Sequence, residues 1–338
     1  MKMKFGKHLV GDRKTLIIAE AAVEHLGSLN VAKKMIDVGE KAGVDFVKFQ
    51  LHIQSEEMLA DKIHFWGGSL DEILDKNNLS LDDHKELIAY CSTKNVDYLC
   101  TPFSAAAVRL LDQLGVCGFK MGSGELTNFE LLQAIVETGK PVIVSTGMSR
   151  IQEIEETVNF LKANSIEVAL THCTSIYPAP PETLNLKLME RFKEKFKVPV
   201  GHSDHSVGIH SSVAAVALGA NIIERHFTLS KELKGPDWEV SLEPDMLIDL
   251  VRCIRETEMS LGDGIKTITK EEEVVRNWAH HSIVTIREIR AGEVFSRENL
   301  SVKRPGGGMP SKDLKNVIGK KASKNISIDV QLTDEDIE

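Results

Sequence analysis

The sequence predicts an α/β protein, a (β/α)8 TIM barrel followed by a small β-rich domain, and three observations carry that expectation. Eight short apolar runs stand at 16–19, 46–49, 98–100, 118–121, 142–144, 168–171, 198–201 and 221–223. Longer segments lie between them at 30–42, 83–93, 105–114, 129–138, 151–161 and 211–218. In these, apolar residues return at three and four positions, which is the alternation of βα units around a parallel sheet. Polar residues then follow each run: Glu20; Lys48 and Gln50; Thr101; Lys120, Ser123 and Glu125; Ser145; His172, Thr174 and Ser175; Ser203 and His205; Glu224 and His226. An open doubly wound sheet gathers its ligand at one switch point. A barrel builds its site from the carboxyl ends of all its strands, so contributions from every run favour the closed form.

The barrel is expected over 1–265, a linker over 266–280 and the second domain over 281–338. The βα pattern stops near Gly262. Residues 271–278 read as a short helix, and 282–286 and 289–295 as strands. The stretch 303–310, with its two prolines and three glycines, can be neither a helix nor a central strand. An arginine on such a loop is well placed to reach into another active site.

A chain of 338 residues with 42% hydrophobic content can bury a large core, and the length suits a barrel of about 250 residues with an appendix. Forty-one basic against fifty acidic residues give a net charge of −9. With no Lys/Arg-rich block, this argues against nucleic acid or an anionic membrane as partner. Cys91, Cys100, Cys117, Cys173 and Cys253 are odd in number and form no C-x-x-C pair, so reduced core thiols are expected rather than a disulfide or zinc framework. No run of eighteen apolar residues occurs, and the apolar run after the amino terminus is broken by Glu20. A soluble, cytoplasmic protein is expected.

His205 and His226 end neighbouring runs. Adjacent parallel strands lie about 4.8 Å apart, so the two imidazoles can share a divalent ion and leave positions open for water and substrate. Taken alone, the pair also reads as two satisfied strand-end histidines. Lys48 and Lys120 with the hydroxyls of Thr101, Ser123, Ser145 and Ser203 converge on the same mouth and suit a compact polyanion such as a phosphorylated carboxylic acid. Any one of those hydroxyls could equally be a strand-end or helix-capping group. In Lys120-Met-Gly-Ser-Gly-Glu125 the glycines could bring backbone amides to phosphate at the head of the following helix. Glu20 cannot sit buried without a partner; it pairs with Lys48 or Lys120, or it moves a proton or orients a water. Asp204, Arg225 and Glu224 are expected to orient ligands or form pairs. His280 and His281 are adjacent on a strand and face opposite ways, so they are not expected to form a metal pair.

These residues together resemble a known family. Ile18-Ala-Glu20, Val47-Lys-Phe-Gln50, Thr101-Pro-Phe-Ser104, Lys120-Met-Gly-Ser-Gly-Glu125, Ser145-Thr-Gly-Met148, Ser203-Asp-His205, Glu224-Arg-His-Phe227 and Lys303-Arg-Pro305 resemble the sialic acid synthase family, in order and over nearly the whole chain. The carboxyl-terminal part is similar to that family's antifreeze-like (SAF, β-clip) domain. The resemblance implies condensation of phosphoenolpyruvate with an open-chain N-acetylated amino sugar, giving a nine-carbon α-keto acid and phosphate. It implies His205 and His226 as ligands of Mn²⁺, or of Mg²⁺ or Co²⁺ in its place. Lys48, Thr101, Lys120, Ser123, Ser145, Ser175 and Ser203 would hold phosphoenolpyruvate; Gln50, Glu125, Tyr177 and Asp237 would hold the sugar. Glu20, Lys120 and the two histidines would be catalytic. Arg304 would enter the site of a partner subunit in a domain-swapped homodimer, and Trp278 would lie against the sugar or pack as a linker residue.

This chain departs from the family pattern at Glu24-His25, where Asn-His is usual, in the loop 64–72, which lacks the usual Asn and Tyr, and at Ser175, often Asn. The acceptor is therefore left open among N-acetylmannosamine, a 2,4-diacetamido-trideoxyhexose and a 6-phosphorylated sugar. Two other functions compete with the synthase: an aldolase forming a Schiff base on Lys120, and a non-catalytic carbohydrate- or ice-binding protein.

Overall fold

The computed structural model describes residues 1–59, 63–65 and 68–338. It divides into two compact units, Met1–Gly262 and Asp263–Glu338.

In the first unit a hairpin of β1 (Met3–Phe5) and β2 (His8–Val10) precedes the barrel. The barrel strands are β3 (Leu16–Ala22) and β4 (Phe46–Leu51) and, after the short pair β5 (His64–Phe65) and β6 (Gly68–Ser69), β7 (Asp97–Pro102), β8 (Phe119–Met121), β9 (Val142–Ser145), β10 (Val168–Cys173), β11 (Val200–Asp204) and β12 (Ile222–His226). They form one parallel sheet in the order β7-β4-β3-β12-β11-β10-β9-β8. β7 and β8, the ends of that order, also lie against each other, so the eight-stranded barrel expected from the sequence is present. Helices cover it, among them Leu29–Ala42, Leu81–Cys91, Phe129–Thr138, Leu188–Phe196 and Pro244–Leu261.

Strand alternation sorts the side chains into two faces. Ile17, Ala19, Val47, Phe49, Cys100, Val144, Leu170 and Ile223 point outward into the core shared with the helices. Ile18, Phe46, Leu99, Ile143, Ala169 and Ile222 point inward and pack with Met3, Phe5 and Val10 of the hairpin. Phe5 and Phe46 meet edge to face, 5.6 Å between centroids. The hairpin closes the amino-terminal mouth of the barrel, an element the apolar runs did not announce because its strands are only three residues long. A Cβ on Gly118 would stand 2.7 Å from the Phe5 ring, so the glycine makes room for this plug.

Two residues further along each strand the inward face is polar: Glu20, Lys48, Thr101, Lys120, Ser145, Thr171, Ser203 and Glu224, all buried. After Glu20 the β3–β4 register slips at Ala21, a bulge at the rim of the site.

The second unit contains the helix Lys270–Ala279, capped by Thr269, and an antiparallel pair of β13 (Ser282–Thr285) and β14 (Leu300–Lys303). Isolated bridges join Ile289 to Ile326 and Val294 to Lys321. Its core is Ile283, Ile289, Phe295, Leu300, Leu314, Val317, Ala322, Ile326 and Leu332. The segment expected as a linker, 266–280, thus carries a helix.

Candidate active site

The inward polar layer opens into a cavity of about 510 Å³ at the carboxyl ends of the strands. Glu20, Lys48, Gln50, Thr101, Lys120, Ser123, Glu125, Ser145, Ser175, Tyr177, Ser203, His205, His226 and Asp237 all line it. The barrel residues expected to hold substrate or metal therefore meet in one place, whereas His172, Thr174, Asp204 and Arg225 do not line it.

Glu20 and Lys48 are register partners on β3 and β4, as are Ser203 and Glu224 on β11 and β12. Lys48 Nζ contacts Oε2 of Glu20, donates to Thr101 Oγ1 at 2.8 Å and lies 3.9 Å from Glu224 Oε1. Lys120 Nζ donates to Ser145 Oγ at 2.6 Å and lies 3.6 Å from Glu224 Oε2. The Ser203 hydroxyl donates to Glu224 Oε1 at 3.1 Å. Glu224 thus stands between the two ammonium groups and lines the cavity, rather than only supporting its neighbour His226. Asp204 and Arg225 do form a pair, at 2.8 Å, fully buried; Asp204 also accepts from Ser206 N and Ser212 Oγ. That pair locks β11 to β12 just beside the two histidines.

Burial disfavours charge on all four members of the ionic layer, and the partners decide the balance. It raises the Glu20 carboxyl above its usual range, with Lys48 opposing in part. Burial also opposes ionisation of Glu224, yet Lys120 and Lys48 outweigh it and hold that carboxyl low. Lys48 is buried but kept above the ordinary lysine value by Glu20 and Glu224. Lys120 is lowered by burial despite Glu224. Glu224 Oε2 has no hydrogen-bond partner, its nearest cation being Lys120 Nζ at 3.6 Å, so the layer keeps some acceptor capacity in reserve.

The rings of His205 and His226 lie 5.3 Å apart between centroids. A Cβ on Gly201 would stand 2.2 Å from the Ile222 carbonyl oxygen, so glycine lets β11 and β12 approach closely beneath these rings. His205 Nδ1 donates to the Thr174 carbonyl oxygen at 3.0 Å, so Nε2 is the nitrogen left for a ligand. His226 Nδ1 is buried without a hydrogen-bond partner, 3.4 Å from Asp237 Oδ2. Burial, then His205, pushes His226 well below the usual value and keeps it neutral. His226 is thus a neutral ligand for a borderline divalent ion, whereas His205, opposed by burial but raised by Cys173, must release its proton to be the second. Among the described residues no group of three or more His, Cys, Asp or Glu could hold a metal, so the rest of any coordination shell would come from water or substrate.

Tyr177 stacks on His205 at 4.0 Å. The Asp237 carboxyl is raised to about 7 by burial and then by Glu24 and Glu20. Glu125 is also raised by burial, while its Oε2 accepts from Asn128 at 2.6 Å. The glycines of 120–125 do not stand at the head of an α-helix. Gly122 precedes and Gly124 lies within a 3-10 turn, Ser123–Glu125, and the helix begins later, at Phe129 behind its Asn128 cap. Gly147, two residues beyond Ser145, meets Ser175 and Ser123 instead: a Cβ there would stand 2.2 Å and 2.7 Å from their hydroxyl oxygens. Ser123 Oγ accepts from Gly147 N at 3.1 Å. His52 and Glu57 also line the cavity and escaped notice in the sequence, although His52 continues the two-residue step Lys48, Gln50. Trp278 and Arg304 belong to the second unit, where the Arg304 guanidinium lies 5.9 Å from the Trp278 ring centroid and its Nε donates to Ala279 O at 2.9 Å.

The site is a parallel barrel whose strand ends carry paired ammonium groups, carboxylates and two imidazoles, the arrangement of a barrel enzyme. The NeuB family model matches residues 35–266 and the SAF domain model residues 280–338. The N,N'-diacetyllegionaminic acid synthase of Campylobacter jejuni is 43% identical over 94% of this chain and 98% of its own length. The N-acetylneuraminate-9-phosphate synthase of Mus musculus is 34% identical over 98% and 94%. Among solved structures, an N-acetylneuraminic acid synthetase from Leptospira borgpetersenii, in complex with citrate, shares 33% identity and a TM-score of 0.74, over 81% of this chain and 95% of that one. The chain belongs to the NeuB family, with a carboxyl-terminal SAF domain, and is an enzyme, a synthase of that family. No helix among the described residues is long and apolar enough to cross a membrane.

Proposed function

We propose that the enzyme condenses phosphoenolpyruvate with the open-chain form of an N-acetylated amino sugar and water, releasing phosphate and a nine-carbon α-keto acid. The observation that carries this reading is the ionic layer: two buried ammonium groups, ringed by Thr101, Ser145 and Ser203, beneath two imidazoles in one cavity. Lys48 and Lys120 exchange their carboxylate partners for the carboxylate and phosphate of phosphoenolpyruvate, with Ser123 and Ser175 completing the cradle. Charge-assisted hydrogen bonds of this kind stabilise the negative charge that gathers on the departing phosphate. A divalent ion, Mn²⁺ by preference and Mg²⁺ or Co²⁺ in its place, would be held by His205 and His226 and would polarise the aldehyde oxygen of the sugar. The enol carbon forms the new bond to the aldehyde carbon, water adds to the neighbouring carbon, and the carbon–oxygen bond to phosphate breaks. Glu20, whose carboxyl lies above its usual range, orients that water and takes its proton, which balances the proton the aldehyde oxygen gains as it becomes a hydroxyl.

Val23, Met58, Leu70, Leu74, Phe103 and Met148 give the outer cavity an apolar wall, and the cations of its described lining are Lys48 and Lys120, both at the floor. Among the described residues, that wall offers no lysine or arginine to the phosphate of a phosphorylated acceptor. The methyl and acetyl groups of a 2,4-diacetamido-trideoxyhexose suit the wall better than the hydroxyls of N-acetylmannosamine. A second copy of the chain is part of the proposal, bringing Arg304 to the site as a domain-swapped homodimer. The exposed apolar side chains Val274, Val275 and Trp278 in the second unit support a partner surface.

Phosphate release should be followed with phosphoenolpyruvate, Mn²⁺ and a panel of N-acetylhexosamines, their 6-phosphates and diacetamido sugars. Turnover is expected with the diacetamido sugars first, and chelation should abolish it. No release with any acceptor, or full activity after chelation, overturns the reading. Mixing Arg304→Ala with Glu20→Ala subunits should restore part of the activity; none returns if Arg304 acts within its own chain.

A further inference from the structure

His52 and Glu57 have no place in the chemistry above, yet both are held at the cavity. The His52 ring lies nearly flat on Phe103, 4.2 Å between centroids and 17° between planes. Its Nδ1 is 2.8 Å from Glu57 Oε2, and its Nε2 is 3.0 Å from Gln50 Oε1. Gln50 in turn gives its Nε2–H to Glu20 Oε1 at 3.1 Å. Glu57 is itself anchored, because its other oxygen accepts from the backbone amide of Ile53. The His52 carbonyl is tied to Asn78 Nδ2 at 2.8 Å. One hydrogen-bonded line, Glu57–His52–Gln50–Glu20, therefore runs from the cavity wall to the carboxylate beside Lys48.

The amide of Gln50 is the element in this line that could face either way, since one edge accepts and the other donates. Turned over, it would set its carbonyl oxygen against Glu20 Oε1, oxygen to oxygen. With both ring nitrogens donating, Nδ1–H to Glu57 Oε2 and Nε2–H to Gln50 Oε1, the imidazolium form of His52 selects the other orientation, and the carboxylate of Glu57 holds the ring and balances its charge. We propose that His52, braced by Glu57 and Phe103, is a positioning residue that keeps the donor edge of Gln50 on Glu20 and so fixes where that carboxylate points during the reaction. The inference rests on the reading of this cavity as the condensation site.

The test compares His52→Ala and Glu57→Gln with the wild type by steady-state kinetics and by high-resolution crystal structures. His52→Ala should lower kcat on the order of 10- to 100-fold, the scale of a misplaced reacting group. It should raise the acceptor KM and leave the phosphoenolpyruvate KM and the thermal midpoint unchanged. Added imidazole should return part of the rate by filling the vacated site, which a merely structural histidine would not allow. Glu57→Gln, which keeps the packing should His52→Ala fail to fold, should lower kcat several-fold. In the variant crystals Gln50 should leave Glu20 or turn its amide. If the wild type is active while both variants keep its kcat and Gln50 stays in place, the inference fails and the functional reading stands. If the wild type turns over no acceptor, the functional reading fails, and the crystals alone decide: an unmoved Gln50 overturns the inference and a displaced one supports it.

Discussion

Two layers of the barrel interior, separated by a single step along the same strands, are built from opposite chemistry. The lower holds Ile18, Phe46, Leu99, Ile143, Ala169 and Ile222, with Gly118 and Gly201 where the hairpin ring and the neighbouring strand press in. The upper holds Glu20, Lys48, Thr101, Lys120, Ser145, Thr171, Ser203 and Glu224. Two residues of strand separate them by roughly 7 Å. The lower layer is dry, close-packed and sealed by Phe5, so its contribution is stability. The upper layer places two ammonium groups and two carboxylates out of water, where desolvation offsets most of their attraction. Such a layer adds little to folding, and what it supplies is a preorganised field for an anion. The difference teaches that burial alone does not identify a structural residue: both layers are buried, and only the side-chain chemistry separates floor from site.

The comparison can be broken by exchanging the roles. Lys120→Met should reduce kcat on the order of a thousandfold, as loss of a charge-stabilising donor does, while the protein still folds; a phosphate-release assay with a thermal scan checks both. Activity within tenfold of wild type would mean that the upper layer is not the reacting layer. Phe46→Ala, at a fully buried floor position, should cost about 3–5 kcal/mol of stability. Its kcat per folded molecule should stay near wild type, read by urea unfolding alongside turnover. A large loss of turnover without loss of stability would erase the distinction between layers.

The shell outside the barrel sharpens it through pH. Burial holds His25 and His84 down at about 4, and His84 Nδ1 is engaged by the Tyr98 hydroxyl at 2.7 Å. Both are neutral in the fold, whereas in the unfolded chain they protonate near 6.5. Their stabilising contribution is therefore complete above pH 6.5 and declines as pH falls toward 4, by roughly 3 kcal/mol for each. Unfolding midpoints from pH 7 to 4 should show this slope, and His84→Leu should flatten it; an unchanged slope would place the acid sensitivity in the ionic layer instead. The smallest effect expected is at Gly147→Ala, whose methyl would crowd the hydroxyls of Ser123 and Ser175. A rise of about tenfold in the phosphoenolpyruvate KM, near 1.4 kcal/mol, is expected with little change in kcat.

Much of this was legible in the chain. The apolar runs located the strands because a strand buried on both faces reads as a continuous hydrophobic stretch, and the first polar residues beyond them marked the mouth. What escaped notice did so for physical reasons. Glu224 is legible as a strand-end group expected to orient ligands or form pairs, but its position between Lys48 and Lys120 is not, because it depends on pairing across strands far apart in sequence. His52 lies past the end of β4 and acquires partners only because the short helix Gln54–Glu57 folds back over it. The hairpin is too short to carry a periodic signal.

By itself, the sequence determined the number of barrel strands, the two-residue alternation that turns Ile18 and Glu20 to the same side, and the supply of cations, hydroxyls and imidazoles at the strand ends. Those follow from local hydrophobic patterning, which needs no knowledge of neighbours. Only the tertiary structure decided which carboxylate meets which ammonium group, that Arg225 pairs with Asp204 rather than entering the cavity, and that the Gln50 amide is held between His52 and Glu20. Those outcomes depend on strand register and barrel closure, which bring side chains some two hundred residues apart, such as Glu20 and His226, onto adjacent positions.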